Sequence, residues 1–350
     1  MKKLIVETGS GTAVMPRQRL LELALPWSHA TTATKLHWIF RIAVAMEFVG
    51  HGAFGIIGKK AWVPYITVFG FSESTAWQLM PLVGAVDIGL GILTLFRPMP
   101  AVLAHMTLWG LMTASLRPVT GEPVWELLER GGNYAVPLAF LLLSGGGGRS
   151  LRGWLRQVKS SSVDSATIQK IAWALRAGTA ALLIGHGGFG AFMHKQEWFG
   201  YFAAVGIGPD TVTTGHLIGV VGWFEIALGV AVLFKPARSL LLFVVAWKVG
   251  TEFLRYSAGE PMWEFIERGG SYAAPLALLI ATTWLRREKA LTATAESAGP
   301  RTLTDSGFSR QESEIPRVDL FGEPGRILRE QTLPRRGPGA HRSRETAIPK

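Results

Sequence analysis

Apolar positions in this chain are gathered into long runs and do not alternate with polar ones. Six runs approach the roughly 20 residues that a helix needs to cross hydrocarbon: 36–57, 75–96, 99–116, 168–193, 211–234 and 237–254. Two shorter runs, 134–144 and 272–285, complete two sets of four. The pattern predicts an all-α, polytopic membrane protein with eight transmembrane helices. Buried helices of a large soluble protein are the competing reading, and they give no reason for two matching sets.

The sets match in sequence as well as in spacing. GHGAFG at 50–55 returns as GHGGFG at 185–190, which carries His51 to His186, a shift of 135. GEPVWELLERGGNYAVPLA, from Gly121, returns as GEPMWEFIERGGSYAAPLA, from Gly259, a shift of 138. A long fixed period marks one structural unit duplicated and fused. An even number of spans per unit makes the two four-helix repeats parallel, related by a pseudo-twofold along the membrane normal. The chain then divides into an N-terminal cytoplasmic segment (1–35), a first unit (36–145), a basic Gly-rich linker (146–167), a second unit (168–286) and a disordered cytoplasmic tail (287–350). Residues 18–25, QRLLELAL, read as a surface amphipathic helix.

Charge sets the orientation. The formal net charge is +11 over 350 residues, 48% of them hydrophobic, with a mean hydropathy of +0.26. In a soluble protein that charge would suggest nucleic acid; in a membrane protein it reflects basic cytoplasmic flanks, so no nucleic-acid partner is expected. Lys35, Arg149, Arg152, Arg156, Lys159, Lys170, Arg286 and Arg287 lie on one side, which places both termini in the cytoplasm and the protein in the inner membrane. The basic linker, with Trp154 and Leu155, then rests on the anionic inner leaflet. The chain has no cysteine, which removes thiol–disulfide chemistry and Cys-ligated metals. The N-terminal apolar stretch is too short for a cleavable signal, so targeting falls to the first span.

Ionisable residues at membrane depth are costly and face partners or wet cavities. Arg41 and Arg176 fall in the cytoplasmic half of each first helix; Asp87 and Glu225 fall near the middle of each second helix. These depths predict the pairs Arg41–Asp87 and Arg176–Glu225, which either fix helix packing or form a proton or ligand site. Lys248 and Glu252, one turn apart in the second unit only, pair with each other. Glu47 stands where the second unit has Leu182. His51 and His186 sit among small residues at the outer end of each first helix. They read as satisfied interfacial histidines, as hydrogen-bond partners of a substrate or quinone, or as bis-His haem ligands, the last with no other support in the sequence.

The GEPxWExxERGG motif carries Glu122, Glu126, Glu129 and Arg130, and again Glu260, Glu264, Glu267 and Arg268. Glu and Arg at i, i+4 neutralise one another, and the glycine pair is expected to break the helix. Either the fourth helix starts inside this motif or the motif is a broken segment lining a cavity. No Glu-x-x-His accompanies the Glu-x-x-Glu spacing, so no metal is expected. Together with Arg117 and Arg255 at the outer ends of the third helices, these residues are expected to gather around His51 and His186 in an outward-facing polar cavity.

Each unit, across about residues 36–285 without the linker, resembles the DoxX-like membrane proteins. The shared features are an Arg and a GHGxFG patch on the first helix, an acid among small residues in the second (VDIGLGIL, FEIALGVA) and a polar start to the fourth. The resemblance implies a membrane location and an accessory role in a quinone-linked redox system, similar to the small subunit of a thiosulfate:quinone oxidoreductase. A quinone and a redox protein are then the candidate cofactor and partner, beside the lipid bilayer. No nucleotide, flavin or Fe–S motif is present, and the residues name no reaction, so catalysis by this chain stays open. A small-solute transporter, suggested by charged parallel repeats, and a purely structural membrane protein are the alternatives.

Overall fold

The computed structural model describes residues 6–8, 11–13, 29–208 and 211–297. The expectations for 18–25 and for the chain beyond Ser297 lie outside the described residues. Helices dominate. The exception is a short antiparallel hairpin, β1 (Val6–Thr8) with β2 (Gly11–Ala13), in which Val6 faces Ala13.

The apolar runs become helices whose ends are set by local chemistry. α1 (Thr32–Ile57) starts where Thr31 Oγ1 accepts from the Thr34 amide at 3.2 Å, and it stops at Gly58, whose φ of 75° suits glycine. A 3₁₀ turn (Lys60–Trp62) and α2 (Val63–Thr67) lead to α3 (Glu73–Phe96), capped by Ser72. α4 (Pro100–Val119) opens on a proline, which has no N–H to leave unpaired. α5 (Val124–Glu129) and α6 (Gly131–Leu143) follow, then the linker turn α7 (Leu151–Trp154).

The second half repeats the order. α8 (Ser165–Gly188) begins where Asp164 Oδ1 accepts from the Thr167 amide at 2.6 Å, an interaction that lowers that carboxyl, and it runs on as a π turn, Phe189–Met193. α9 (Glu197–Ala204), α10 (Thr211–Phe234), α11 (Arg238–Ser257), α12 (Met262–Ile266) and α13 (Gly269–Ser297) complete it. Among the described residues, three helices are long and apolar enough to cross a membrane: Thr32–Ile57, Glu73–Phe96 and Val212–Phe234. The second and third of these are only 28% and 33% buried over their most apolar windows, leaving large side chains such as Leu82, Val220 and Phe234 outward.

Glycines set how closely the backbones approach. A Cβ on Gly52 would lie 2.5 Å from the Gly84 carbonyl oxygen, and one on Gly187 would lie 2.5 Å from that of Gly222, so α1 meets α3, and α8 meets α10, backbone to backbone. The helix breaks at the GG pairs as expected: the short helices end just before them, Gly131 and Gly269 open α6 and α13 inside the motif, and the positive-φ glycines of the motif are Gly121 and Gly259. Gly132 and Gly270 let those two helices cross, since a Cβ on Gly132 would meet the Gly270 carbonyl carbon at 2.6 Å.

One apolar core serves both halves, drawing Phe40, Leu103 and Phe140 together with Leu175, Val244 and Leu278. One boundary moves. The last helix runs to Ser297, so the tail does not begin at 287. The linker is held down, with Val158 N donating to Pro98 O at 2.8 Å and Arg156 Nη2 to Ser144 O at 3.0 Å.

Candidate functional site: two histidine–acid cavities

Each half contains a cavity built on its first-helix histidine. The close α1–α3 approach brings His51 to Asp87, and its Nδ1 donates to Oδ2 at 2.8 Å; His186 donates to Glu225 Oε2 at 2.5 Å. Trp62 stacks on His51 with ring centres 4.4 Å apart, and Trp198 lies 4.7 Å from His186. With Nδ1 committed, the second ring nitrogen of each histidine has no protein partner among the described residues.

This corrects the expected ion pairs. Arg41 donates to the carbonyls of Leu95 and Phe96, and Arg176 Nε donates to Val232 O at 3.2 Å. The reason is axial level: the arginines stand beside the last turns of α3 and α10, whose carbonyls lack intrahelical donors. Asp87 and Glu225 lie lower and take the histidines.

The first cavity, about 130 Å³, is lined by Glu47, His51, Trp62, Tyr65, Trp109 and Arg117, with Arg130 and Glu267 at its edge. The second, about 220 Å³, is lined by His186, Trp198, Tyr201, Glu225, Trp247 and Arg255. Tyr65 donates to Glu122 and Tyr201 to Glu260, while burial pushes both phenols up and keeps them protonated. Arg117 Nη1 donates to Glu122 at 3.1 Å and Glu126 at 3.3 Å; Arg255 Nη1 donates to the Tyr201 hydroxyl at 3.0 Å and Glu260 at 3.5 Å.

The motif charges cross between halves. Within each motif Glu126 meets Arg130 at 2.5 Å and Glu264 meets Arg268 at 2.6 Å. Lys195 of the second half donates to Glu126 at 3.1 Å, and Lys59 of the first donates to Glu264 at 2.8 Å. Glu129 lies 3.7 Å from Arg255. Gly50 and Gly185 make room for this: a Cβ there would meet the Glu267 and Glu129 amides at 2.3 and 2.2 Å. α5 therefore packs on α8, and α12 on α1. Burial would raise the Glu264 carboxyl, but Arg268 and Lys59 outweigh it and hold it down to about 2.

The two cavities differ in completeness. In the second, Trp247 Nε1 donates to Glu225 Oε1 at 2.7 Å; elsewhere in that half, Lys248 lies 2.7 Å from Glu252, which also meets Arg255 at 2.8 Å and Arg268 at 3.0 Å. The lysine contact lacks hydrogen-bond alignment and is Coulombic. In the first, Asp87 is one methylene shorter than Glu225, and the Trp109 indole N–H, buried, has no acceptor. Glu47 is 3% exposed and makes no hydrogen bond or ion pair. Its position beside Gly110 carried only a faint sequence signal, the difference between Glu47 and Leu182.

No cluster of three or more His, Asp or Glu side chains among the described residues could hold a metal. Compared with protein-family models, curated proteins and solved structures, the chain matches none.

Proposed function

We propose that this chain is a multi-pass membrane protein of the DoxX-like kind, with eight spans as two parallel repeats and both termini in the cytoplasm. Its function is to hold a small hydroxyl-bearing molecule, a quinol among them, in a cavity at the outer end of each repeat. In this reading it serves as a membrane subunit of a redox partner. One observation carries the ligand reading. Each histidine gives Nδ1–H to an acid, which fixes the tautomer and leaves Nε2 as an acceptor at a cavity wall lined with aromatic rings. A hydroxyl donating to Nε2 would pass its proton towards a base already backed by a carboxylate.

Titration of the purified protein with hydroquinone, followed by tryptophan quenching, tests this. Binding should weaken in His51→Ala and again in His186→Ala. Unchanged binding in both variants would contradict it.

A further inference from the structure

Among the described residues, the first cavity has no uncommitted cation. Glu47 lines it, 3% exposed and without any hydrogen bond or ion pair. Every lining cation is already committed: Lys59 to Glu264 at 2.8 Å, Arg117 to Glu122 at 3.1 Å, Arg130 to Glu126 at 2.5 Å. A buried carboxylate with no cation beside it lacks its counter-charge.

The second half carries a buried cation at the position of Gly110, with Leu182 in place of Glu47. Where the first half has Gly110, the second has Lys248, fully buried with its ammonium 2.7 Å from Glu252. Gly110 adjoins the acid: a Cβ built on it would lie 3.0 Å from the Asn133 carbonyl oxygen and 3.9 Å from Glu47 Oε1. The walls around it are aromatic, supplied by Phe48, Trp62, Tyr65, Phe69 and Trp109. Aromatic faces next to a carboxylate attract organic ammonium ions. A cavity of about 130 Å³ is close to the engineered cavity of roughly 150 Å³ known to hold benzene.

We propose that the first cavity binds a small primary organic ammonium ion, which ion-pairs with Glu47 and packs against the aromatic walls. The proposal rests on the reading that the cavities are ligand sites, and it names the ligand class of one of them.

Calorimetric titration of the full chain in detergent with benzylammonium and with the neutral benzyl alcohol tests it. Wild type should bind benzylammonium at least about tenfold more tightly than the alcohol. Glu47→Gln should abolish that preference and leave alcohol binding unchanged. Should the Gln variant not fold, Glu47→Asp, which draws the charge back by one methylene, should bind benzylammonium more weakly and keep the preference. Equal affinities in wild type, a preference surviving in Glu47→Gln, or an unchanged Asp variant would overturn the charge proposal alone. Binding of neither probe to protein that melts normally would overturn the cavity reading beneath it.

Discussion

Lys59 Nζ lies 2.8 Å from Glu264 Oε1 although 205 residues separate them in sequence. Lys195 and Glu126 make the matching contact in the opposite direction. Each motif therefore closes against the other half's first helix, and the first cavity takes Glu267 from the second half. In a double-mutant cycle on Lys59→Met and Glu264→Gln, unfolding midpoints in detergent should give a coupling of about 1 kcal/mol. Additive effects would mean that the halves do not exchange motifs.

Gly50 and Gly185 test the same exchange by packing. Alanine at either should destabilise by about 3 kcal/mol, because the new Cβ meets motif backbone, which cannot rotate away. Gly89 has nothing within 4 Å of an added Cβ, so Gly89→Ala should be neutral or gain a few tenths of a kcal/mol from helix propensity. Equal effects at Gly50 and Gly89 would contradict the crossed packing.

Much of this was legible in the sequence, and the remainder was not for physical reasons. The runs 75–96 and 99–116 lie within two or three residues of α3 and α4, because hydropathy and capping residues act locally. The Arg41–Asp87 pairing failed on axial level: the last-turn carbonyls of α3 are at the arginine's height and Asp87 is not. Internal duplication shows that both copies own the same parts; it does not show that α5 packs on α8 and α12 on α1. That signal lies in Gly50 and Gly185, which read equally well as room for a ligand.

Arg41 and Asp87 should behave independently. The effects of Arg41→Ala and Asp87→Ala on detergent melts should add, whereas His51→Ala and Asp87→Ala should couple by about 1–2 kcal/mol. Coupling of the arginine with the aspartate would restore the ion pair.

The methylene difference between Asp87 and Glu225 predicts opposite outcomes. Glu225→Asp should lose the bond from Trp247 and cost about 1 kcal/mol. Asp87→Glu should offer Trp109 an acceptor and shift its emission. A Glu225→Asp variant as stable as wild type, with unchanged indole emission, would remove the basis for calling the second cavity complete.

Acid should loosen the crossed contact. The Glu264 carboxyl, held at about 2 in the fold, is depressed relative to an unfolded glutamate. Its contribution is fully present above the unfolded value of about 4.5 and is lost as pH falls from there towards 2. Melting temperature should therefore drop over that window, and Lys59→Met should show a smaller drop. A variant with the wild-type acid profile would detach Lys59 from Glu264.

The central claim, two outward cavities on a multi-pass membrane protein with an inward linker, can be read by labelling, because the chain has no native cysteine. Single cysteines at Thr120 and Ser257 flank the two motifs; one at Ser160 marks the linker. In intact cells a membrane-impermeant maleimide should label Thr120→Cys and Ser257→Cys, and should reach Ser160→Cys only after permeabilisation. Labelling of Ser160→Cys from outside, or protection of either motif position, would contradict the account.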